Sequence, residues 1–513
     1  MSNLSKTFAA ELLGIDAKLI EVEVDLHVGL HAFNIVGLAD KALSEAKERV
    51  NSALKNSGIK PPNRENRKIT VNLAPADVKK TGSHYDLAIA VGYMLATKQI
   101  KAFPSKDKLF VGELALDGTL RVINGALSIA ELAKKSGFKW LFLPAENQEE
   151  AAVISGITVV PIKELTELIN ILEGKNPIPQ YTSEKLEIKK DFSITFSSVK
   201  GQENAKRALV IAAAGGHNVL FIGSPGTGKS LLAEAMISIL PDLSLEESIE
   251  ITKIWSATGL NKSGLVDTRP FRSPHHSASS ISIIGGGINP KPGEISLAHR
   301  GILFLDELPE FKRDVLEGLR QPMEQGEVHI ARVKNSLVFP SKFTLLAAMN
   351  PCPCGYFGDS EKECRCSANE VFRYQKKISG PLLDRIDLQV SVGRIPLNTL
   401  RDRNNIGKKD NENHKIRDKI KKARQIQKER FKGNHLPILT NSEMSSDDCD
   451  KLIHLNEAAE EFLKTAIENT FLSARSYYRI LKTAQTITDL DLKEEITKDY
   501  LAEAFSYRMR QKE

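Results

Sequence analysis

The sequence predicts an α/β protein in three parts: an amino-terminal α+β domain, a core built on a parallel sheet, and a helical domain at the carboxyl end. Three observations carry this. Strand-like and helix-like segments alternate through the first 175 residues. In the middle, the apolar runs of "NVLFIG", "GILFLDE" and "KFTLLAAMN" have the pattern of strands buried on both faces, as in a parallel sheet. From about residue 395 the chain turns polar and basic, then keeps helical spacing to its end.

A chain of 513 residues is too long for one core and divides into domains that each bury an interior. Hydrophobic residues make up 41% and charged residues 27%, so no domain needs a staple merely to fold. A formal charge of +6 permits nucleic-acid binding without demanding it. The start, "MSNLSKTFAAELLGID", lacks a basic region followed by a sustained apolar stretch, and no apolar run is long enough to span a bilayer. The expectation is a cytoplasmic protein with no membrane partner, in which thiols stay reduced and disulfides are a poor explanation of the cysteines.

In the first domain, residues 1–175, "AKLIEVEVDLH" alternates with period two as a strand does. Leu43, Ala46, Val50 and Leu54 share one face of a helix that Gly58 can end. "FVGELALDGTLRVI" reads as a hairpin turning at Asp117-Gly118. "EGKNPIPQYTSEK" makes residues 176–190 a linker, because its prolines and polar residues forbid a continued helix.

The core, residues 191–394, opens on "NVLFIGSPGTGKSLLAEAMISIL". A strand-like run leads into Gly223, Ser224, Pro225, Gly226, Thr227 and Gly228, and Lys229-Ser230 open a helix, which is the context a phosphate-binding loop requires. Glycines let backbone N–H groups close around phosphates, Lys229 can reach the β and γ phosphates of ATP, and the Ser230 hydroxyl can ligate Mg²⁺. "GILFLDELPEF" then delivers Asp306 and Glu307 to the carboxyl end of a buried strand. Asp306 would hold the Mg²⁺, and Glu307 would orient and deprotonate the attacking water, help worth roughly 10² to 10⁴ in rate. The strand "KFTLLAAMNPC" ends at Asn350, which could polarise the lytic water or sense the γ phosphate. Residues 395–513 read as a helical domain, with Ile416, Ile420 and Ala423 on one face.

The order of phosphate loop, "LFLDE", Asn-terminated strand, "SGPLLDRIDL" and "SARSYYRILKTAQTI" resembles the AAA+ ATPases, in the branch that holds magnesium chelatase and the MCM helicases. The resemblance implies that Asn350 is sensor 1, Arg385 the arginine finger and Arg475 sensor 2 on the lid. A finger of this kind enters the neighbouring subunit's site and can contribute roughly 10³ to 10⁵ in rate, so a homo-hexameric ring is implied. Without that motif order, either arginine reads as a structural ion pair.

"FRSPHHSASSISIIGGGINPKPGEISLAHRG" exceeds what a simple crossover needs, and the resemblance places a helix-2 insert there. "GEVHIARVKNSLVFPSKF" reads as a β hairpin with Arg332 and Lys334 near its turn, matching a pre-sensor hairpin whose cations would meet DNA phosphates; basic residues at a hairpin tip are otherwise simply solvated. His275-His276 could suggest a metal, but a polar loop is the simpler reading, as no partner ligands are near in sequence.

"NPCPCGYFGDSEKECRCS" gathers four of the five cysteines. Cys352, Cys354, Cys364 and Cys366 can satisfy a tetrahedral Zn²⁺ as a closed structural site, although the usual knuckle has two residues between cysteines; reduced surface thiols are the alternative. Cys449 stands apart and reads as a packing residue.

"LAPADVKKTGSHYDLAIAVGYML" and "GELALDGTLRVINGALSIAELAKKSG" resemble the Lon-type protease fold. Active Lon enzymes carry their serine in "GPSAG" and its lysine in "GGLKEK". Here Ser83 or His84 approximates the first position and Leu127 the second, and a serine without a base is inert, so no proteolysis is expected. Subunit contact or substrate guidance is the expected role. Over essentially the whole chain the sequence is similar to the ComM/YifB family. That resemblance implies an ATP-driven hexameric motor acting on branched or single-stranded DNA in branch migration and homologous recombination, during natural transformation, with recombination proteins as further partners. A magnesium-chelatase-like motor working on a porphyrin-chelatase partner, and an ATP-dependent protease of Lon type, are the other readings.

Overall fold

A computed structural model describes residues 4–37, 45–64, 66–179, 194–261, 264–331, 336–396, 409–469 and 472–508. By internal contact the chain forms two units, residues 1–188 with 245–266, and residues 189–244 with 267–513.

The first unit rests on a four-stranded sheet in the order Leu4–Leu13, Asp16–Val28, Arg67–Ala74, Ala32–Val36. The first three strands run antiparallel and the last is parallel to its neighbour. Alternation sets the buried face: Ile20, Val22, Val24 and Leu26 point into the core while the residues between them are partly exposed. Helix Asp86–Ala96, nearly all apolar, is buried on most of its surface against that sheet, as an all-round hydrophobic helix must be. Helix Ala46–Asn56 buries Val50 and Leu54, and Gly58 follows with φ +77°. Leu43 lies outside the described residues. The hairpin pairs Glu113–Leu114 with Leu120–Arg121 around Gly118, whose φ of +94° suits glycine. A second sheet, three parallel strands, follows the order Lys108–Phe110, Trp140–Pro144, Thr158–Ile162.

Residues 245–266, which follow the phosphate-loop helix in sequence, fold with this first unit. Helix Leu245–Thr258 is held by polar contacts that composition does not advertise. Lys253 pairs with Glu131, and Ser256 Oγ donates to the buried Glu150 at 2.5 Å and accepts from Gly125 N at 2.8 Å. Most of the linker, residues 180–190, lies outside the described residues.

The second unit has a five-stranded sheet, Phe271–Arg272, Ile302–Leu305, Thr344–Met349, Val219–Ile222, Leu388–Ser391, all parallel. The strand that feeds the phosphate loop therefore lies inside the sheet, and the loop emerges at the carboxyl ends, where ligands bind in such folds. Helix Glu203–Gly215, rich in alanine, packs against the edge strand Leu388–Ser391 on one side and against helices Lys409–Gly433 and Ala474–Leu490 on the other. Ile420 and Ala423 are buried in that seam, with Ala484 and Ile487 opposite. The lid is also pinned electrostatically, since the buried Asp387 pairs with Arg479 of helix Ala474–Leu490. Cys449 is buried beside Phe431 and Met444, and that burial pushes its thiol up to about 11.

Candidate nucleotide-binding site

The phosphate loop is shaped by two left-handed backbone conformations and one close contact that favour glycine. Gly226 and Gly228 have φ of +79° and +88°, and a Cβ on Gly223 would lie 2.1 Å from the carbonyl oxygen of Val392. Ordinary side chains would open the loop and remove the N–H cradle.

Lys229 begins the next helix and folds over the loop. Its Nζ donates to the carbonyls of Gly223 and Ser224 at 2.7 and 2.9 Å and to Asn350 Oδ1 at 3.3 Å. Burial lowers the Lys229 pKa, and the carboxylates of Asp306 and Glu307 oppose that. An ammonium held by neutral carbonyls in a partly dry site is poised to exchange them for phosphate oxygens. Asn350 is brought to the lysine because its strand, Thr344–Met349, is the sheet neighbour of Val219–Ile222 and the two end in register.

Ser230 Oγ donates to Asp306 Oδ2 at 2.8 Å, so the two oxygens read from sequence as Mg²⁺ ligands meet in space. A hydroxyl and a carboxylate oxygen are the hard donors that Mg²⁺ prefers alongside nucleotide phosphates. Glu307 stands one residue on, with φ +51°, a left-handed conformation rare for a residue with a side chain. Its backbone N–H is fixed by Asp306 Oδ1 at 2.8 Å, and its side chain is half exposed.

Two partners of these residues escape the sequence reading. His276 Nδ1 lies 3.4 Å from Glu307 Oε2, with its ring edge-on to Phe311, so His276 belongs to the site rather than to an idle loop. His275 Nδ1 is engaged with Ser277 Oγ at 2.8 Å. The second partner is Glu324. Its Oε2 is 2.8 Å from Arg385 Nη2 and its Oε1 is 2.6 Å from Arg475 Nη2. Arg385 is only 9% exposed in its side chain and donates from Nη1 to Pro381 O at 2.6 Å, whereas Arg475 is half exposed. Arg385 precedes the amino end of Leu388–Ser391, and the phosphate loop follows the carboxyl end of the adjacent parallel strand, with Val219 opposite Leu388. Four residues of strand separate the two by roughly 13 Å at about 3.3 Å per residue. Neither arginine is brought beside Lys229 of its own chain.

The four clustered cysteines converge immediately beyond Asn350. Their Sγ atoms all lie within 4.8 Å of one another, with Cys352, Cys354 and Cys364 mutually at 3.4–3.6 Å. These separations exceed a disulfide bond of about 2.05 Å and approach the roughly 3.8 Å edge of a tetrahedron with Zn–S bonds of about 2.3 Å. Phe357 N donates to Cys352 Sγ at 3.3 Å; backbone N–H groups of Arg365 and Tyr356 lower the Cys354 thiol, while burial and the neighbouring thiols raise Cys364 and Cys366. That donor set fits a closed structural metal site. Among the described residues no other cluster of histidine, cysteine and acidic side chains has this geometry.

Glu327–Ala331 and Ser336–Pro340 form the antiparallel hairpin expected in the core, but Arg332 and Lys334 at its turn lie outside the described residues. In the first unit, Ser83 Oγ donates to Glu113, His84 Nε2 lies 3.6 Å from Glu11 Oε2, and Leu127 is fully buried. The serine thus faces a carboxylate. Among the described residues no helix is long and apolar enough to cross a membrane.

Three family models match the chain: "Magnesium chelatase, subunit ChlI" over residues 195–400, "Subunit ChlI of Mg-chelatase" over 22–147, and "Magnesium chelatase, subunit ChlI C-terminal" over 410–508. Competence protein ComM of Haemophilus influenzae is 41% identical over 99% of this chain and 97% of its own. YifB of Escherichia coli is 40% identical with the same coverage, and YifB of Salmonella typhimurium is 39% identical over 97% of this chain and 95% of its own. With a parallel sheet of this order, a phosphate loop on an inner strand and matches along its full length, the chain belongs to the ComM/YifB family of magnesium-chelatase-like AAA+ ATPases.

Proposed function

We propose that the chain is the subunit of a homo-hexameric, ATP-driven DNA motor that promotes branch migration during homologous recombination. The observation that carries this is the split of the charged machinery. Lys229, Ser230, Asp306 and Glu307 gather at the carboxyl ends of the sheet, while Arg385 and Arg475 gather on Glu324 beyond its amino end. Such a subunit holds a nucleotide on one face and offers two arginines from another, which supports a head-to-tail ring in which each site is completed by a neighbour.

At each site Lys229 binds the β and γ phosphates of ATP, and Asn350 holds the lysine and the γ phosphate in register. Ser230 and Asp306 would hold a Mg²⁺, which would supply charge neutralisation on the phosphates. Glu307 accepts the proton of the attacking water. Arg385, with Arg475, neutralises charge on the departing phosphoryl of the neighbour's nucleotide, a contribution worth about 10³ to 10⁵ in rate. The Arg332 and Lys334 hairpin grips DNA in the pore, and the four thiolates hold a structural Zn²⁺. The Haemophilus relative is named a competence protein, and we extend that setting, uptake and integration of transforming DNA in the cytoplasm, to this chain.

A chelatase motor is the second reading, because all three matching family models carry that description. The test is ATP hydrolysis with and without forked or four-way DNA, for wild type beside Glu307→Gln. Stimulation by branched DNA that disappears in the variant supports the DNA motor. Hydrolysis indifferent to every DNA form, yet raised by porphyrin-chelatase subunits, overturns it in favour of the second reading. Casein degradation would overturn both; Ser83 hydrogen-bonded to Glu113, with Leu127 at the expected lysine position, argues against it.

A further inference from the structure

The cysteine knuckle does not stand apart from the phosphate loop. Gly355, between the two cysteine pairs, has φ +87°, and a Cβ built on it would lie 2.6 Å from Pro225 Cδ and 3.9 Å from Asn350 Cγ. The knuckle backbone therefore lies against the proline of the phosphate loop at a distance only glycine allows. Four residues further on, Asp359 comes near the Ser224 hydroxyl, also in the phosphate loop, which helps hold its carboxyl well below the usual carboxylate range. The same carboxylate accepts from the backbone N–H groups of Glu361 and Lys362 and pairs with Arg394 Nε at 3.1 Å. Arg394 follows the strand whose next residue, Val392, presses on Gly223. Two faces of the phosphate loop thus rest on the knuckle or on the segment tied to it.

Little else holds the knuckle in shape. Of residues 352–366 only Cys352 and Gly355 are buried, Phe357 is half exposed, and none belongs to the hydrophobic core of the second unit. A loop with so little apolar burial needs another source of order, and a metal bound by four thiolates supplies it as folding free energy.

We propose that the Zn²⁺ held by Cys352, Cys354, Cys364 and Cys366 is the backing of the phosphate loop, so that zinc occupancy and nucleotide affinity are thermodynamically linked. This rests on the zinc site above and extends it from a structural staple to a control on nucleotide binding. Linkage requires reciprocity: zinc tightens nucleotide by the factor by which nucleotide tightens zinc, and couplings of this kind run about 5- to 150-fold. Zinc acts here through Gly355 and Asp359, which are positioning residues, and takes no part in hydrolysis.

The experiment uses the full chain and two readouts other than turnover: zinc content by elemental analysis, and affinity for a fluorescent mant-ATP. The wild type should carry about one zinc per chain. Cys364→Ser should lose the metal and weaken mant-ATP binding about tenfold or more. Asp359→Asn and Gly355→Ala keep all four thiols, so they should retain zinc and still bind mant-ATP several-fold more weakly. In the wild type, release of zinc by a chromogenic chelator should slow when saturating ATP is present. A purified chain without zinc, whose affinity Zn²⁺ leaves unchanged, overturns the site itself. A chain with stoichiometric zinc whose loss in Cys364→Ser leaves mant-ATP affinity intact overturns the linkage and leaves the structural site standing.

Discussion

Arg385 and Arg475 close on the same carboxylate, each taking one oxygen of Glu324. One guanidinium is nearly buried and comes from the approach to the last strand of the sheet; the other is half exposed and comes from helix Ala474–Leu490 of the lid. A single acid therefore sets the spacing of two cations that the proposed mechanism presents to a neighbouring nucleotide.

Glu324→Gln tests that arrangement at constant size. The amide can accept from one arginine but no longer balances the charge of two. Glu324 is 35% exposed, so the stability cost should stay near about 1–2 kcal/mol, below the roughly 3–5 kcal/mol typical of breaking a fully buried pair. The kcat for ATP should fall about tenfold or more, a fraction of what an arginine finger contributes, while KM stays unchanged because Lys229 keeps its contacts. Steady-state kinetics decide it: wild-type kcat in a folded variant would remove Glu324 from the proposal.

The sequence makes the phosphate loop legible because its chemistry is local. Gly223, Gly228, Lys229 and Ser230 lie within one strand-to-helix turn, and the turn's backbone geometry follows from their identities. Asp306 and Asn350 are legible for a related reason, since apolar strands in a parallel sheet end side by side. The four cysteines are visible as spacing, but their approach to Pro225 is not, because it depends on where the loop folds back. His276 and Glu324 were missed outright. Each acts through a residue distant in sequence, and neither sits in a pattern that names a partner. The histidine doublet is the available signal, but its spacing does not name Glu307 as a partner. Position in the chain places residues 245–266 in the core, whereas Ser256 and Lys253 anchor them to Glu150 and Glu131 of the first unit. Periodicity does not encode such a choice of partner.

His276 should be a positioning residue for Glu307. With the histidine 3.4 Å from the carboxylate and braced by Phe311, His276→Ala would free the glutamate to rotate away from the attacking water. Mant-ATP affinity should be unchanged and kcat should fall by about tenfold, less than the roughly 10² to 10⁴ expected for Glu307→Gln. His276→Asn, which keeps a polar atom on a shorter side chain, should recover part of the loss. Equal kcat in wild type and His276→Ala would show that the contact has no mechanistic weight.

Glu150 gives the first unit a pH dependence whose sign follows from its burial. The side chain accepts from Leu127 N at 2.7 Å, from Ser256 Oγ and from Asn261 Nδ2, but burial outweighs these bonds and raises its pKa. The native state therefore holds the proton at pH values where the unfolded chain, with a glutamate pKa of about 4.3, has released it. Its contribution to stability is complete below that value and is lost as pH rises through the raised folded pKa. Glu150→Gln has no proton to lose and keeps an acceptor for Leu127 N and Ser256 Oγ. Near pH 4 to about 5 the two proteins should unfold at similar urea concentrations, and near about pH 8 the variant should be the more resistant. Urea denaturation followed at both pH values, with a probe in the first unit such as Trp140 fluorescence, reads the difference. A gap that shrinks as pH rises would mean that Glu150 is stabilised as an anion and that its hydrogen bonds, not its burial, govern the site.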